Sequence, residues 1–330
     1  MRPFRVRRAA LAALLSFGAA CAHRQPAPDE HAGHTTPATA AGATASATAS
    51  ATASATTSAT ATAATPGASA ATAGQDPALP ASAATADARL AASPRHGEYV
   101  MISAGPNPSD SLRAWVVYPE RKTRAPVVVV IHEIFGLSSW VRSVADQLAA
   151  DGFIAVAPDM LTGKPLPGAP GNVPTDSVVA AIRTLEPAFV SARVAAAARY
   201  GMSLPAALPK YGVVGFCWGG AMVFHHAAMT PSLGAGVAYY GSAPVQQTNL
   251  ANTKAPVLAL YGEDDARVNA TIPAADSVFG TARVTFEKQI YPGAGHGFLR
   301  QQDGRDGANL AASRGAWPRT IAFFRKHLGG

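Results

Sequence analysis

Cysteine is almost missing from this chain: Cys21 and Cys217 are the two in 330 residues. So few exclude a disulfide scaffold, and with Cys21 near the amino terminus, Cys217 stands as a free thiol. Charge is missing from an entire stretch, with no Asp, Glu, Lys or Arg between Thr35 and Gly74. That stretch alternates Ala, Thr and Ser and has no large apolar residue to offset its chain entropy, so 23–93 is expected to be a disordered linker. His23, His31 and His34, with Asp29 and Glu30, fall in it and read as a solvated polar patch, since nothing fixes a metal geometry there. A basic stripe interleaved with aromatics is also missing. The net charge of +7 includes Arg2, Arg5, Arg7 and Arg8 at the extreme amino terminus, which excludes a nucleic-acid reading.

Those arginines precede an apolar run, Ala9 to Ala20, too short to cross a bilayer as an ordinary helix. Residues 1–22 therefore read as a signal peptide. Two outcomes stay open: cleavage after Ala22 at Ala20-Cys21-Ala22, or processing as a lipoprotein with a lipid anchor at Cys21. Either way the protein is expected to be exported, to the periplasm or to a membrane-anchored site in the cell envelope.

Residues 94–330 suffice for one α/β domain. Short alternating runs at Glu98 to Ala104 and Leu112 to Tyr118 predict an antiparallel hairpin. Val127 to Ile131 and Phe153 to Ala157 are continuous apolar runs, as in strands buried on both faces. Ser138 to Ala150 has helical spacing, and a long helical pattern covers Val178 to Tyr200. Further strands are expected near 211–214, 236–241, 257–261 and 284–291, and a last helix near 308–327. Strands alternating with helices predict a mostly parallel sheet covered on both faces.

The stretch Gly215-Phe216-Cys217-Trp218-Gly219-Gly220 joins an apolar strand to a helix, the context of a nucleophile elbow with Cys217 at its apex. The helix start favours the thiolate, and the Trp218 amide is positioned to donate to an oxyanion. Two later strands run into loops carrying Asp264-Asp265 and Gly295-His296-Gly297. Nucleophile, acid, histidine is the chain order of α/β-hydrolases. Asp265 is preferred as the acid, with Asp264 the alternative. His296 would take the thiol proton and return it to the leaving group. His132-Glu133 follows a strand and has no second histidine four residues after the first, so it is not a zinc motif. Gly215 to Gly220 is accounted for by the elbow rather than by a phosphate loop, and no metal, nucleotide or organic cofactor is expected. Trp218, Tyr239 and Phe298 are candidates to line the substrate pocket. The stretch Ser242 to Lys254 is too short for a lid domain, which suits small esters or lactones.

The blocks His132-Glu133-Ile134-Phe135-Gly136, Gly215 to Gly220, Tyr239-Tyr240-Gly241 and Gly295-His296-Gly297-Phe298 with Arg300 resemble the dienelactone hydrolase family of α/β-hydrolases over about 127–324. The resemblance implies a Cys217-His296-Asp265 triad and an active-site glutamate at Glu133 that contacts the resting thiol. It also implies an oxyanion hole from the amides of Ile134 and Trp218, and a substrate carboxylate held by two arginines. Arg300 matches one of them. The other position, before the long helix, holds no arginine, and Arg183 is the nearest candidate. The expected function is hydrolysis of small esters or lactones of the carboxymethylenebutenolidase type through an acyl-enzyme, by a monomer. A carboxylesterase or peptidase-like hydrolase with an unrelated substrate, and a non-catalytic envelope binding protein on this scaffold, are the alternatives.

Overall fold

The computed structural model describes residues 76–329 apart from 106, 108–109 and 169–172. The signal-like segment, Cys21 and most of the Ala/Thr/Ser stretch lie outside the described residues.

The sheet has eight strands: β1 (Gly97–Ser103), β2 (Ser111–Val117), β3 (Ala125–Ile131), β4 (Ile154–Pro158), β5 (Ala207–Phe216), β6 (Ala235–Tyr239), β7 (Val257–Asp264) and β8 (Phe286–Gly295). Their spatial order is β1-β2-β4-β3-β5-β6-β7-β8. β1 pairs antiparallel with β2, and β2 with β4; all the others are parallel. This is the expected architecture.

Strand β3 is buried at every residue because both faces are covered. Val127, Val129 and Ile131 enter one apolar cluster, and Val128 and Val130 the other, as the twofold alternation of a strand requires. On the first face pack α4 (Pro187–Ser203), α5 (Trp218–Met229) and α7 (Ile272–Ala282). On the second pack α2 (Ser139–Ala150) and α8 (Ala308–Leu328). Helix α2 starts at Ser138, whose hydroxyl accepts from the Val141 amide at 3.5 Å, the cap its sequence predicts.

Three features differ from the sequence expectations. The helical pattern over 178–200 is two helices, α3 (Thr175–Arg183) and α4, because a proline at position 187 would clash with the carbonyl of Arg183 in a continuous helix. Helix α7 lies between β7 and β8, after the one-turn α6 (Ala266–Asn269), where no helix is anticipated. Its signals are Thr271 before it, a proline in its first turn, and Ile272, Ala275 and Phe279 buried at helical spacing. Residues 76–92, read from the sequence as the end of the linker, are also structured. They belong to the body: Leu79 and Ala81 are buried, and α1 (Ala86–Ala91) packs beside α2. One buried leucine, Leu79, suffices there because the chain around it is fastened at the Pro80 carbonyl and the Ala83 amide.

The chain leaves β3 toward β4 and then returns past it to β5. β3 and β5 therefore flank the point where strand order reverses, and the crevice beyond their carboxyl ends is where an open α/β sheet forms its site.

Candidate active site

Five loops meet at that crevice. Glu133 and Ile134 follow β3, Cys217 follows β5, Tyr240 follows β6, Asp265 follows β7, and His296 follows β8.

Cys217 has φ 55° and ψ −114°, a conformation that a side chain of L configuration rarely adopts. Such a residue costs about 1–3 kcal/mol and persists only where its surroundings fix it. Here the Cys217 amide donates to the Tyr239 carbonyl at 3.0 Å, and its carbonyl accepts from Ala221. The start of α5 also presses onto the end of β3. A Cβ on Gly219 would fall 2.4 Å from the His132 carbonyl oxygen, and one on Gly215 would fall 2.1 Å from the Gly219 oxygen. The glycines around Cys217 thus let helix and strand close to contact distance, leaving the thiol half-exposed at the tip.

The His296 Nδ1–H donates to Asp265 Oδ2 at 2.6 Å, and the Cys217 thiol is close enough to interact electrostatically with the same ring. Burial disfavours the imidazolium, but the interactions with Asp265 and Cys217 outweigh it and push His296 up to about 9. Asp264, by contrast, is exposed and pairs with Arg305. Of the two candidate acids, Asp265 is the one at the histidine.

Glu133 is 3% exposed. Its Oε1 lies 2.8 Å from Arg300 Nε, out of line for a hydrogen bond, so charge rather than direction holds the pair. Burial pushes the carboxyl up to about 7 against the opposing charges of Arg300 and His296. Arg300 also covers the Phe135 ring, 4.8 Å from its centroid. The partner of Glu133 in this state is therefore Arg300, and Arg300 is engaged away from the cavity. His132 is fully buried: Nδ1 lies 2.7 Å from the Glu133 carbonyl, and Nε2 accepts from the Met160 amide at 3.2 Å. With both ring nitrogens occupied it is a structural tie that stacks on Trp218, not a ligand.

A cavity of about 480 Å³ opens over Cys217. Ile134, Trp218 and Tyr240 line it beside the thiol, and Arg183 and Arg267 stand at its rim. Arg267 reaches Ser242 Oγ at 3.3 Å, and among the described residues neither arginine pairs with a carboxylate. Tyr239 and Phe298 do not line the cavity, which corrects the sequence reading. Tyr239 is the last residue of β6 and points into the core, its hydroxyl 2.6 Å from Thr320 Oγ1 of α8. Phe298 is fully buried among Tyr239, Tyr240 and Tyr291. Each contributes about 2–3 kcal/mol as core. The wall residue is the neighbour, Tyr240, with its ring 5.1 Å from His296 and its buried hydroxyl lacking any partner among the described residues. Sequence alternation offered the signal, because consecutive tyrosines at a strand end point to opposite sides. Arg267 was not anticipated; its place two residues after the acid is the clue.

The model of the dienelactone hydrolase family matches residues 112–328. A Salmonella typhimurium protein provisionally named carboxymethylenebutenolidase is 30% identical over 267 residues, covering 76% of this chain and 97% of that protein. Among solved structures, a protein of Klebsiella pneumoniae, provisionally a dienelactone hydrolase, is 26% identical with a TM-score of 0.54, covering 70% of this chain and 99% of its own. A dienelactone hydrolase-like promiscuous phosphotriesterase from metagenomic libraries shares the fold at a TM-score of 0.61 and 24% identity, covering 71% of this chain and 99% of its own.

Proposed function

The chain belongs to the dienelactone hydrolase family, and from that premise we propose that it hydrolyses small esters or lactones that carry an anionic group, with Cys217 as nucleophile. The observation that carries this reading is the half-exposed thiol of the elbow beside a histidine whose Nδ1 is held by a buried aspartate.

The chemistry follows from those contacts. His296, raised to about 9, carries the thiol proton through neutral pH, so the sulfur attacks the ester carbonyl carbon as thiolate. The amides of Ile134 and Trp218 receive the developing oxyanion. As the carbon–oxygen bond breaks, His296 gives its proton to the departing alkoxide, leaving a thioester on Cys217. Water then loses a proton to His296 and attacks the thioester carbonyl. The carbon–sulfur bond breaks, the acid leaves, and the thiolate–imidazolium pair returns.

The anionic group is argued from the rim. Two exposed guanidiniums without carboxylate partners among the described residues face a cavity of about 480 Å³, large enough for a small lactone. Arg183 and Arg267 would attract and orient a carboxylate there, in place of Arg300, whose charge is spent on Glu133. Full-length protein should hydrolyse a carboxylate-bearing ester with a KM that rises roughly tenfold in Arg267→Met and in Arg183→Met, while turnover of a neutral ester of the same size stays within about twofold. Equal loss on both esters would remove the anion from this reading; no turnover of any ester would remove the reading itself. The basic, apolar and small-residue order of residues 1–22 supports placing the reaction in the cell envelope, with Cys21 as the lipid attachment point if the segment is processed that way.

A further inference from the structure

The family match begins at residue 112 and leaves residues 76–92 unexplained. These residues do not simply cover the body; they bind the loop that carries the catalytic histidine. The Ala83 amide donates to the Arg300 carbonyl at 2.8 Å. The Gln302 side-chain amide, 5% exposed at the residue level, donates to the Pro80 carbonyl at 2.8 Å and to the Leu299 carbonyl at 3.0 Å. Leu79 and Ala81 share an apolar cluster with Phe298 and Leu299. The other end of the segment is anchored too: Arg89 donates to the Pro77 carbonyl at 2.9 Å and to Gln147 of α2 at 3.3 Å.

Between these fastenings lies a tight turn. The amides of Arg300 and Gln301 both donate to the Gly297 carbonyl, at 2.9 and 3.0 Å, so one hydrogen-bonded turn carries both His296 and Arg300. The backbone of Arg300 is held by the segment while its guanidinium holds Glu133. We propose that residues 77–85 are a buttress of the active site, and that Ala83 through its amide and Gln302 through its side chain are positioning residues that fix the Arg300–Glu133 ion pair and the His296 turn. This inference takes Glu133 as part of the site proposed above.

The consequence is electrostatic. Glu133 is faced by Arg300 and His296 from the turn after β8 and by Tyr240 from the end of β6, and Tyr240 also faces the Cys217 thiol. Of these, Arg300 is the one tied directly to the segment. If the buttress loosens, Arg300 recedes, and a carboxyl already pushed up to about 7 by burial loses its main counter-charge and rises further.

The test uses full-length protein and reads Cys217 directly, independently of any substrate. The rate of alkylation by iodoacetamide is followed from pH 5 to 10, with the peptide containing Cys217 quantified by mass. Gln302→Leu keeps side-chain bulk and loses both donations; Ala83→Pro removes the amide. Leu233→Ala, a buried leucine in the apolar cluster of the opposite face, reports what destabilisation alone does. The charge on Glu133 reaches the thiol through His296 and Tyr240, so the expected result is a Glu133 inflection near pH 7 in the wild-type profile that moves up by about one unit in Gln302→Leu and Ala83→Pro and stays in place in Leu233→Ala. Profiles of Gln302→Leu and Ala83→Pro that overlay wild type would overturn the proposal, whatever their melting temperatures. Because alkylation requires no ester, that failure is separate from a failure of the proposed hydrolysis.

Discussion

Cys217→Ala is expected to lower ester turnover by about 10³-fold or more without unfolding the protein. The size of the effect follows from the division of labour at the elbow. Covalent catalysis needs an atom that can attack and then leave, and alanine supplies neither. The amides of Ile134 and Trp218, proposed above to receive the oxyanion, belong to the backbone and survive the substitution, so any residual rate measures electrostatic stabilisation without a nucleophile. The fold should hold because the amide and carbonyl of Cys217 keep their bonds to Tyr239 and Ala221, and alanine is smaller than the residue it replaces. The positive φ of 55° adds a modest strain for alanine that cysteine also bears. The check is steady-state hydrolysis of a small activated ester beside circular dichroism and thermal melting of the same sample.

Asp265→Asn is expected to lower kcat by roughly 10²- to 10⁴-fold while KM changes little. Burial works against a charged His296, and the bond at 2.6 Å to Asp265 is the first of the contacts that reverse it. An asparagine can present its NH₂ to Nδ1, which selects the wrong tautomer and leaves no stable imidazolium to return a proton to the leaving group. The histidine inflection, about 9 in the wild-type protein, should fall by more than a unit in the kcat profile. Asp264→Asn is the matched control and should stay within about twofold, because Asp264 serves Arg305 rather than His296. Stability carries the same signature. A histidine whose pKa is higher folded than unfolded stabilises the fold fully below about pH 6.5, and that contribution disappears as pH rises through about 9. Urea midpoints measured at pH 6 and at pH 10 should therefore converge for wild type and Asp265→Asn at the higher pH.

Much of this was legible in the residues. Val127 to Ile131 announced a central strand because only burial on both faces tolerates five branched apolar side chains in succession. The elbow, the acid loop and the histidine loop were legible because each chemical residue directly follows a strand, so the sheet itself brings distant positions together. What escaped was whatever depends on direction rather than order. Tyr239 and Tyr240 are indistinguishable in composition, and which of them faces the cavity is set by the last residue of β6. Arg300 matches a motif position, yet its guanidinium is taken by Glu133. The segment 76–92 looked like linker because most of its residues are small; its attachment to the histidine loop runs through the Pro80 carbonyl and the Ala83 amide, which no side-chain pattern reveals. The break at position 187 was visible in principle, since a proline there cannot continue the preceding helix.

The most direct test of the account is a search for the covalent intermediate. Full-length protein is mixed with a small activated ester, quenched in acid within the first turnovers, and digested for mass mapping. The account predicts the acyl mass on the peptide that contains Cys217, absent from Cys217→Ala. Turnover with no acyl adduct, or an adduct on another residue while Cys217→Ala still hydrolyses the ester, would contradict it.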